Sequence, residues 1–280
     1  MAIQFITDSS ADLTIAQQQE FNIKVVNLSV NWPMGESCLP GNDAFYEKLM
    51  TSKVLPKTAA PSPGDFRAVF EESVNNGDTV IALLLSSEIS ATVQAAHIAR
   101  SEMEQKDKVF IVDSRTVAMG EQILLIEAMR LAKEGVSAED IVAVLENRRF
   151  DVRFYAIVPD LKYLKMGGRI SSGAATVGSL LHIRPIVGME DGKVHSFAKA
   201  RGKQAAYAKL IDLVRQDGID ESKPVIMGYS NSDDALNELE QLFAGTDLPV
   251  AGAQRCEIGP IIGTHAGPGA CGVSFIRRGK

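Results

Sequence analysis

The chain has 280 residues, of which 45% are hydrophobic and 23% are charged, and its formal net charge is −6. This composition is typical of a globular protein, and the length suffices for one large or two ordinary domains. The negative charge argues against general nucleic-acid binding, and the apolar runs are too short to span a bilayer.

The first half alternates apolar strand patterns with amphipathic helical patterns. We predict strands at residues 3–6, 24–27, 79–84 and 109–112, and helices at residues 64–74, 90–103, 120–133 and 138–148. This βαβ rhythm predicts a parallel, doubly wound sheet in an N-terminal domain of residues 1–150. Residues 31–57 are predicted to be an irregular excursion from that layer.

The pattern changes near Phe150. Strands are predicted at residues 153–158, 185–189, 194–199, 224–229, 250–256 and 272–276, with a short helix ending at Lys165 and longer helices at residues 201–215 and 233–243. Asp191-Gly192 between two apolar runs is typical of a β-hairpin. The fold class is therefore α/β, with an α+β C-terminal domain of residues 151–280 that has a mostly antiparallel sheet.

Hydroxyl side chains follow several of the predicted strands of the first half. Ser9, Ser10, Ser86 and Ser114 stand at strand ends, which in a parallel sheet meet at the edge where ligands bind. Thr58 lies at the same edge, just before the helix that Ser62 and Pro63 begin. Ser90 starts the next helix, where free N–H groups favour a carboxylate or phosphate. Taken singly, Ser90 is more often only a helix cap.

A second polar loop is predicted at residues 259–269, which contain Thr264 and His265. The four glycines of this loop allow a ligand to approach the backbone closely. A single histidine in a loop is about as often structural as functional. The other three histidines, His97, His182 and His195, show no comparable pattern.

Basic residues are concentrated between positions 162 and 209. The nine basic residues there are Lys162, Lys165, Arg169, Arg184, Lys193, Lys199, Arg201, Lys203 and Lys209, against only Glu190 and Asp191. They are either solvated side chains spread over several elements or a basic rim for an anion or an acidic partner.

The motifs of several enzyme classes are absent. There is no GxxxxGK[ST] and no GxGxxG after the first strand, so we predict no nucleotide cofactor. The three cysteines, Cys38, Cys256 and Cys271, form no CxxC pair, which disfavours a metal site and fits a reducing cytoplasm. Ser90, His265 and Asp113 could form a hydrolase triad, but their spacing is not diagnostic.

The chain resembles the DegV family of bacterial fatty-acid-binding proteins. The matching segments occur in the family's order at residues 6–13, 58–66, 86–92, 112–120, 161–170, 199–203 and 258–272. The resemblance implies two domains with a long-chain fatty acid in an apolar tunnel between them. It also implies that a separate fatty-acid kinase phosphorylates the bound carboxylate for phospholipid synthesis, so that the chain itself is a cytoplasmic carrier without catalytic activity or stable membrane insertion.

The resemblance also implies site residues. Thr58 and Ser90 match positions that hydrogen-bond the carboxylate, and His265 matches a polar residue near it. Ser114 and Thr264 are further candidate ligand-binding hydroxyls. Arg169 and Arg201 match basic positions near the tunnel mouth, where they would contact the kinase or the acyl phosphate.

Two departures from the family pattern concern this site. Ala59-Ala60 replaces a polar pair after Thr58, and Glu88 introduces a charge close to the proposed carboxylate site. Two alternatives to a carrier stay open. The first is a serine esterase or acyl-transfer enzyme that uses Ser90 and His265, and the second is a protein-interaction module with a basic face around Arg201.

Overall fold

The computed structural model describes residues 2–33, 41–170 and 182–279. The elements of the first half are β1 Ile3–Asp8, α1 Ile15–Glu20, β2 Lys24–Val26, β3 Ser29–Asn31, α2 Asn42–Thr51, β4 Lys57–Ala59, α3 Pro63–Asn75, β5 Thr79–Leu84, α4 Thr92–Ser101, β6 Val109–Asp113, α5 Met119–Lys133 and α6 Ala138–Arg148. Those of the second half are β7 Val152–Ile157, α7 Lys162–Met166, β8 Ile183–Glu190, β9 Lys193–Arg201, α8 Lys203–Asp217, β10 Ile226–Tyr229, α9 Asp234–Ala244, β11 Gln254–Glu257, α10 Pro260–Ala266 and β12 Cys271–Ile276.

The first sheet is parallel and has the strand order β2-β1-β5-β6. Successive residues of a strand point to opposite faces, and β5 shows the consequence. Val80, Ala82 and Leu84 pack with residues of α3 and α4, whereas Ile81 and Leu83 pack with residues of α5 and α6. Helices therefore cover both faces, which explains why β5 is apolar throughout.

The second sheet has the order β11-β10-β12-β7-β8-β9. Its strands are antiparallel except for the β10–β11 pair. The turn between β8 and β9 holds Asp191 at φ 50° and Gly192 at φ 79°, as expected of a tight hairpin. The predicted fold class, a parallel α/β part followed by a mostly antiparallel α+β part, is confirmed.

Helix α5 lies between the two sheets. It contacts β5 of the first sheet and β7, β10 and β12 of the second, and its residues are buried around most of its circumference. The contact is so close that a Cβ on Gly228 of β10 would lie 2.6 Å from the sulfur of Met119. A helix that is apolar on most sides needs neighbours on most sides, and α5 thus joins the two halves.

Residues 31–57 are more regular than predicted. The two-stranded antiparallel sheet of β3 and β4 pairs Val30 with Thr58, and α2 occupies residues 42–51, where the prediction of irregular structure was wrong. Phe45 and Leu49 are one helical turn apart and are both buried. Apolar residues at this helical spacing form the buried face of α2. Residues 34–40 lie outside the described part of the chain.

The polar loop predicted at residues 259–269 is a helix over residues 260–266. Pro260 occupies the first helical turn and Gly267, at φ 74°, ends the helix, which is the usual placement of these two residues. His265 thus stands in the last turn of α10 instead of in a loop. None of the described helices is long and apolar enough to cross a membrane.

Candidate functional site

Thr58 and His265 form a direct hydrogen bond. Thr58 is the middle residue of β4 and His265 lies on α10, and the distance between Thr58 Oγ1 and His265 Nε2 is 2.9 Å. The two residues are separated by 207 positions in the sequence, so only the tertiary structure brings them together. This pair is the centre of the candidate site.

Glycines allow the close packing around this pair. A Cβ on Gly167, which follows α7, would lie 2.2 Å from His265 Nδ1. A Cβ on Gly263 would lie 2.4 Å from the hydroxyl of Tyr46 on α2, and one on Gly267 would lie 2.3 Å from the Tyr163 ring. Helix α10 therefore packs against α2 and α7 without an intervening side chain at these positions.

His265 is a neutral imidazole at pH 7. Burial, together with the positive charge of Arg169, lowers its pKa to about 4. Nε2 contacts Thr58, while Nδ1 is buried without a hydrogen-bond partner. A neutral ring and a hydroxyl can bind the oxygen atoms of an anion without burying a fixed counter-charge, whose desolvation is costly.

Arg169 supplies the positive charge next to this pair. Its Nε donates to the carbonyl of Ile89 at 3.2 Å, and its Nη1 donates to the carbonyl of Gly167 at 2.6 Å. Both acceptors are neutral backbone carbonyls, so these bonds orient the guanidinium without neutralising its charge. Arg169 thereby connects Ile89, which precedes Ser90, to Gly167, which packs on His265.

Ser90 is half-buried, and its hydroxyl is 2.8 Å from that of Thr92. It stands one residue before Ala91, the N-cap of α4, and its hydroxyl accepts a hydrogen bond of 3.4 Å from the N–H of Thr92, the first residue of that helix. His265 pairs with Thr58 instead of Ser90, and its other ring nitrogen has no orienting acid. The nucleophile and base of a hydrolase, which must lie within hydrogen-bond reach, are therefore not assembled from Ser90 and His265 here.

Three predicted site residues have other contacts. The Ser114 hydroxyl donates to the Thr116 carbonyl at 3.2 Å, and the Thr264 hydroxyl donates to the Pro260 carbonyl at 2.8 Å. Arg201 is exposed at the end of β9, opposite Ile183. The contacts of the described residues do not join these three to Thr58 and His265, and their ligand-binding roles stay predictions.

A cleft of about 420 Å³ opens beside Arg169. The residues that line it are Glu88, Ile89, Gly168, Arg169, Ile170, Lys193, Val194 and His195. Glu88, the residue that departs from the family pattern, forms an ion pair of 3.2 Å with Lys193, which also lines this cleft. Its carboxylate therefore has a counter-charge at the cleft wall.

A buried carboxyl cluster was missed by the sequence analysis. The Ser10 hydroxyl lies 2.6 Å from Asp8 Oδ1 and 2.8 Å from Glu121 Oε1, and both acids are completely buried. A hydroxyl has one proton and cannot donate to both, so one carboxyl group must itself carry a proton. The sequence signals were Ser10 at the end of the first strand and an acidic residue near the start of α5.

Glu121 is the member of the cluster that holds the proton. Burial raises the pKa of Asp8, but the hydrogen bonds that it accepts from the Ser10 hydroxyl and from the N–H groups of Ser10 and Leu85 oppose this rise and favour its charged form. Glu121 accepts one from Ala118, and its second oxygen has no partner. Burial raises the pKa of Glu121 well above its ordinary value, and the nearby charge of Asp8 raises it further.

Comparison with known proteins gives a consistent picture over nearly the whole chain. Residues 2–278 match the model of the DegV family, which is described as a family of uncharacterised proteins. A DegV domain-containing protein of Caldanaerobacter subterraneus is 35% identical over 278 residues, which cover 98% of both chains.

Solved structures agree with the fold. A DegV family protein from Thermus thermophilus, described by its fatty-acid binding, superposes with a TM-score of 0.90 at 31% identity and covers 99% of this chain and 100% of its own. A DegV lipid-binding protein from Thermotoga maritima superposes with a TM-score of 0.88 at 26% identity, with the same coverage.

Proposed function

Since this chain belongs to the DegV family, we propose that it binds a long-chain fatty acid and holds its carboxylate with Thr58, His265 and Ser90. The observation that carries the proposal is the 2.9 Å contact between Thr58 and a neutral, largely buried His265. The solved relatives that bind fatty acid or lipid share the fold that creates this contact.

The acyl chain lies between an N-terminal domain of residues 1–150 and a C-terminal domain of residues 151–280. Burying roughly a dozen methylenes at ~0.8 kcal/mol each stabilises the complex by on the order of 10 kcal/mol before entropic costs. The polar contacts therefore orient the carboxylate, and most of the affinity comes from the chain.

The protein carries its ligand and does not transform it. Phosphorylation of the carboxylate needs a nucleotide, and the sequence has no nucleotide-binding motif. A separate cytoplasmic fatty-acid kinase therefore supplies the phosphoryl group, and Arg169 and the exposed Arg201 face it or the acyl phosphate. This division of labour predicts that a chromogenic ester is not hydrolysed, and a rate that is lost in Ser90→Ala would contradict it.

The direct test is the lipid content of the purified protein. Mass spectrometry of a denaturing extract is expected to recover long-chain fatty acid in near-stoichiometric amount. Recovery of none, together with no thermal stabilisation by added palmitate or oleate, would rule out the proposed ligand.

Thr58→Ala tests the carboxylate contact. We expect it to weaken fatty-acid binding by ~1–3 kcal/mol, because it removes one partner of a buried polar group. Isothermal titration calorimetry measures this change. Thr51→Ala, an exposed threonine on α2, is the matched control and should bind like the parent protein. Equal affinities for both variants would remove Thr58 from the site.

A further inference from the structure

The tip of the β8–β9 hairpin, residues 191–193, seats on the loop of residues 86–89 that follows β5. The Ser86 hydroxyl donates to the carbonyl of Gly192 at 2.7 Å, and Lys193 Nζ lies 3.2 Å from the Glu88 carboxylate. Arg115 Nη2 donates to the carbonyl of Asp191 at 2.6 Å. All three contacts join the second sheet to loops of the first.

The tip fits closely at its centre. Gly192 is buried with φ 79°, and a Cβ there would lie 2.7 Å from Ser86 Oγ and 3.0 Å from Glu88 Cγ. Glycine is therefore required both for the turn and for the approach of the two backbones. The hairpin tip therefore packs closely against residues 86–89, and this packing is called its seat below.

This seat forms one wall of the cleft beside Arg169. Glu88 and Lys193 both line the cleft, and Arg169 holds the same loop through the carbonyl of Ile89. The loop leads directly into Ser90, a proposed carboxylate ligand. Separation of the tip from the loop would widen the cleft and release the segment that carries Ser90.

The contacts differ in how easily they break. The Ser86 bond is buried, but the side chains of Lys193 and Glu88 are 59% and 37% exposed. An exposed ion pair contributes little stability and is screened by salt. A pair of this kind suits a contact that opens and closes often.

We propose that residues 191–193 are a latch that closes the cleft beside Arg169, and that the Glu88–Lys193 ion pair sets how fast the ligand exchanges. The proposal rests on the fatty-acid binding proposed above. Because the ion pair joins the tip to the loop and so stabilises the closed state, its loss changes the rates of entry and exit more than the affinity.

Charge reversal and charge exchange test the latch. Stopped-flow displacement of a fluorescent long-chain fatty acid is expected to show association and dissociation about threefold faster in Glu88→Lys, with Kd changed less than twofold. The double variant Glu88→Lys/Lys193→Glu should restore the original rates. Lys203→Glu, which breaks the comparable exposed pair between Lys203 and Glu238, is the control and should exchange ligand normally.

A measurement without ligand separates the latch from the proposed function. In ligand-free protein, amide hydrogen exchange of residues 86–90 should be faster in Glu88→Lys than in Lys203→Glu, and the double variant should reverse the effect. Unchanged exchange in Glu88→Lys overturns the latch. Faster amide exchange with unchanged ligand rates overturns its control of ligand exchange, whereas failure of the parent protein to bind fatty acid overturns the proposed function instead.

Discussion

Gly167→Ala is expected to weaken fatty-acid binding at least about tenfold, or ~1.4 kcal/mol. Gly167 has an ordinary helical conformation, φ −73° and ψ −11°, so alanine introduces no backbone strain. Its Cβ, however, would lie 2.2 Å from Nδ1 and 2.8 Å from Cε1 of His265. The ring must move, and the hydrogen bond to Thr58 is lost with it. Calorimetric titration with palmitate measures the effect.

Two comparisons make this prediction specific to His265. Gly64→Ala in α3 is the matched control, because its Cβ would meet only Ser62 Oγ at an ordinary 3.6 Å. In a His265→Ala background, Gly167→Ala should cause no further loss of fatty-acid affinity, because the ring atoms that the new Cβ would displace are absent. Additive losses in the double variant would mean that Gly167 acts on binding by some other route.

The buried carboxyl cluster makes stability depend on pH. The folded-state pKa of Glu121 is raised above its ordinary 4.5. The stabilising contribution of protonated Glu121 to the unfolding free energy is therefore fully present below about pH 4.5. It is lost as the pH rises through the raised value, at about 1.4 kcal/mol per pH unit. We therefore expect the unfolding free energy to fall towards alkaline pH, and to fall less steeply in Glu121→Gln, which is always neutral. Urea denaturation between pH 5 and pH 9 measures both slopes.

Substitution of its partner should behave differently. Asp8 accepts three hydrogen bonds as a carboxylate, so Asp8→Asn is expected to lower the unfolding free energy by about 2–3 kcal/mol at neutral pH. Glu146→Gln, an exposed residue of α6, controls for the loss of one acid and should keep the parent slope. If Glu121→Gln also keeps the parent slope, Glu121 does not hold the proton.

Strong periodicity made most elements predictable from the sequence. The continuous apolar run of β5 was predicted at its observed bounds, and so was α6, where Ser137 accepts from the Asp140 N–H as a helix cap. The Asp191-Gly192 hairpin followed from turn chemistry. Weaker local signals led to a wrong prediction at α10. Its glycines were taken to indicate a loop, although Pro260 and Gly267 are typical of the start and the end of a helix.

The candidate site was predictable only in part. Thr58, Ser90, His265 and Arg169 came from motifs, and the resemblance to the DegV family is confirmed. Glu121 was missed, because a buried acid has no periodic signature and its partner, Ser10, is 111 residues away. The role of Glu88 was also open, since its counter-ion, Lys193, lies on the other sheet.

The amino-acid order alone determined most of the strands and helices, that the first sheet is covered on both faces, and which family the chain belongs to. These properties depend on local periodicity and on short motifs, which a sequence displays directly. Only the tertiary structure decided that His265 bonds Thr58 instead of Ser90, that Gly167 packs on its ring, and that the hairpin tip seats on residues 86–89. Such contacts join positions far apart in the chain, so no local pattern of residues encodes them.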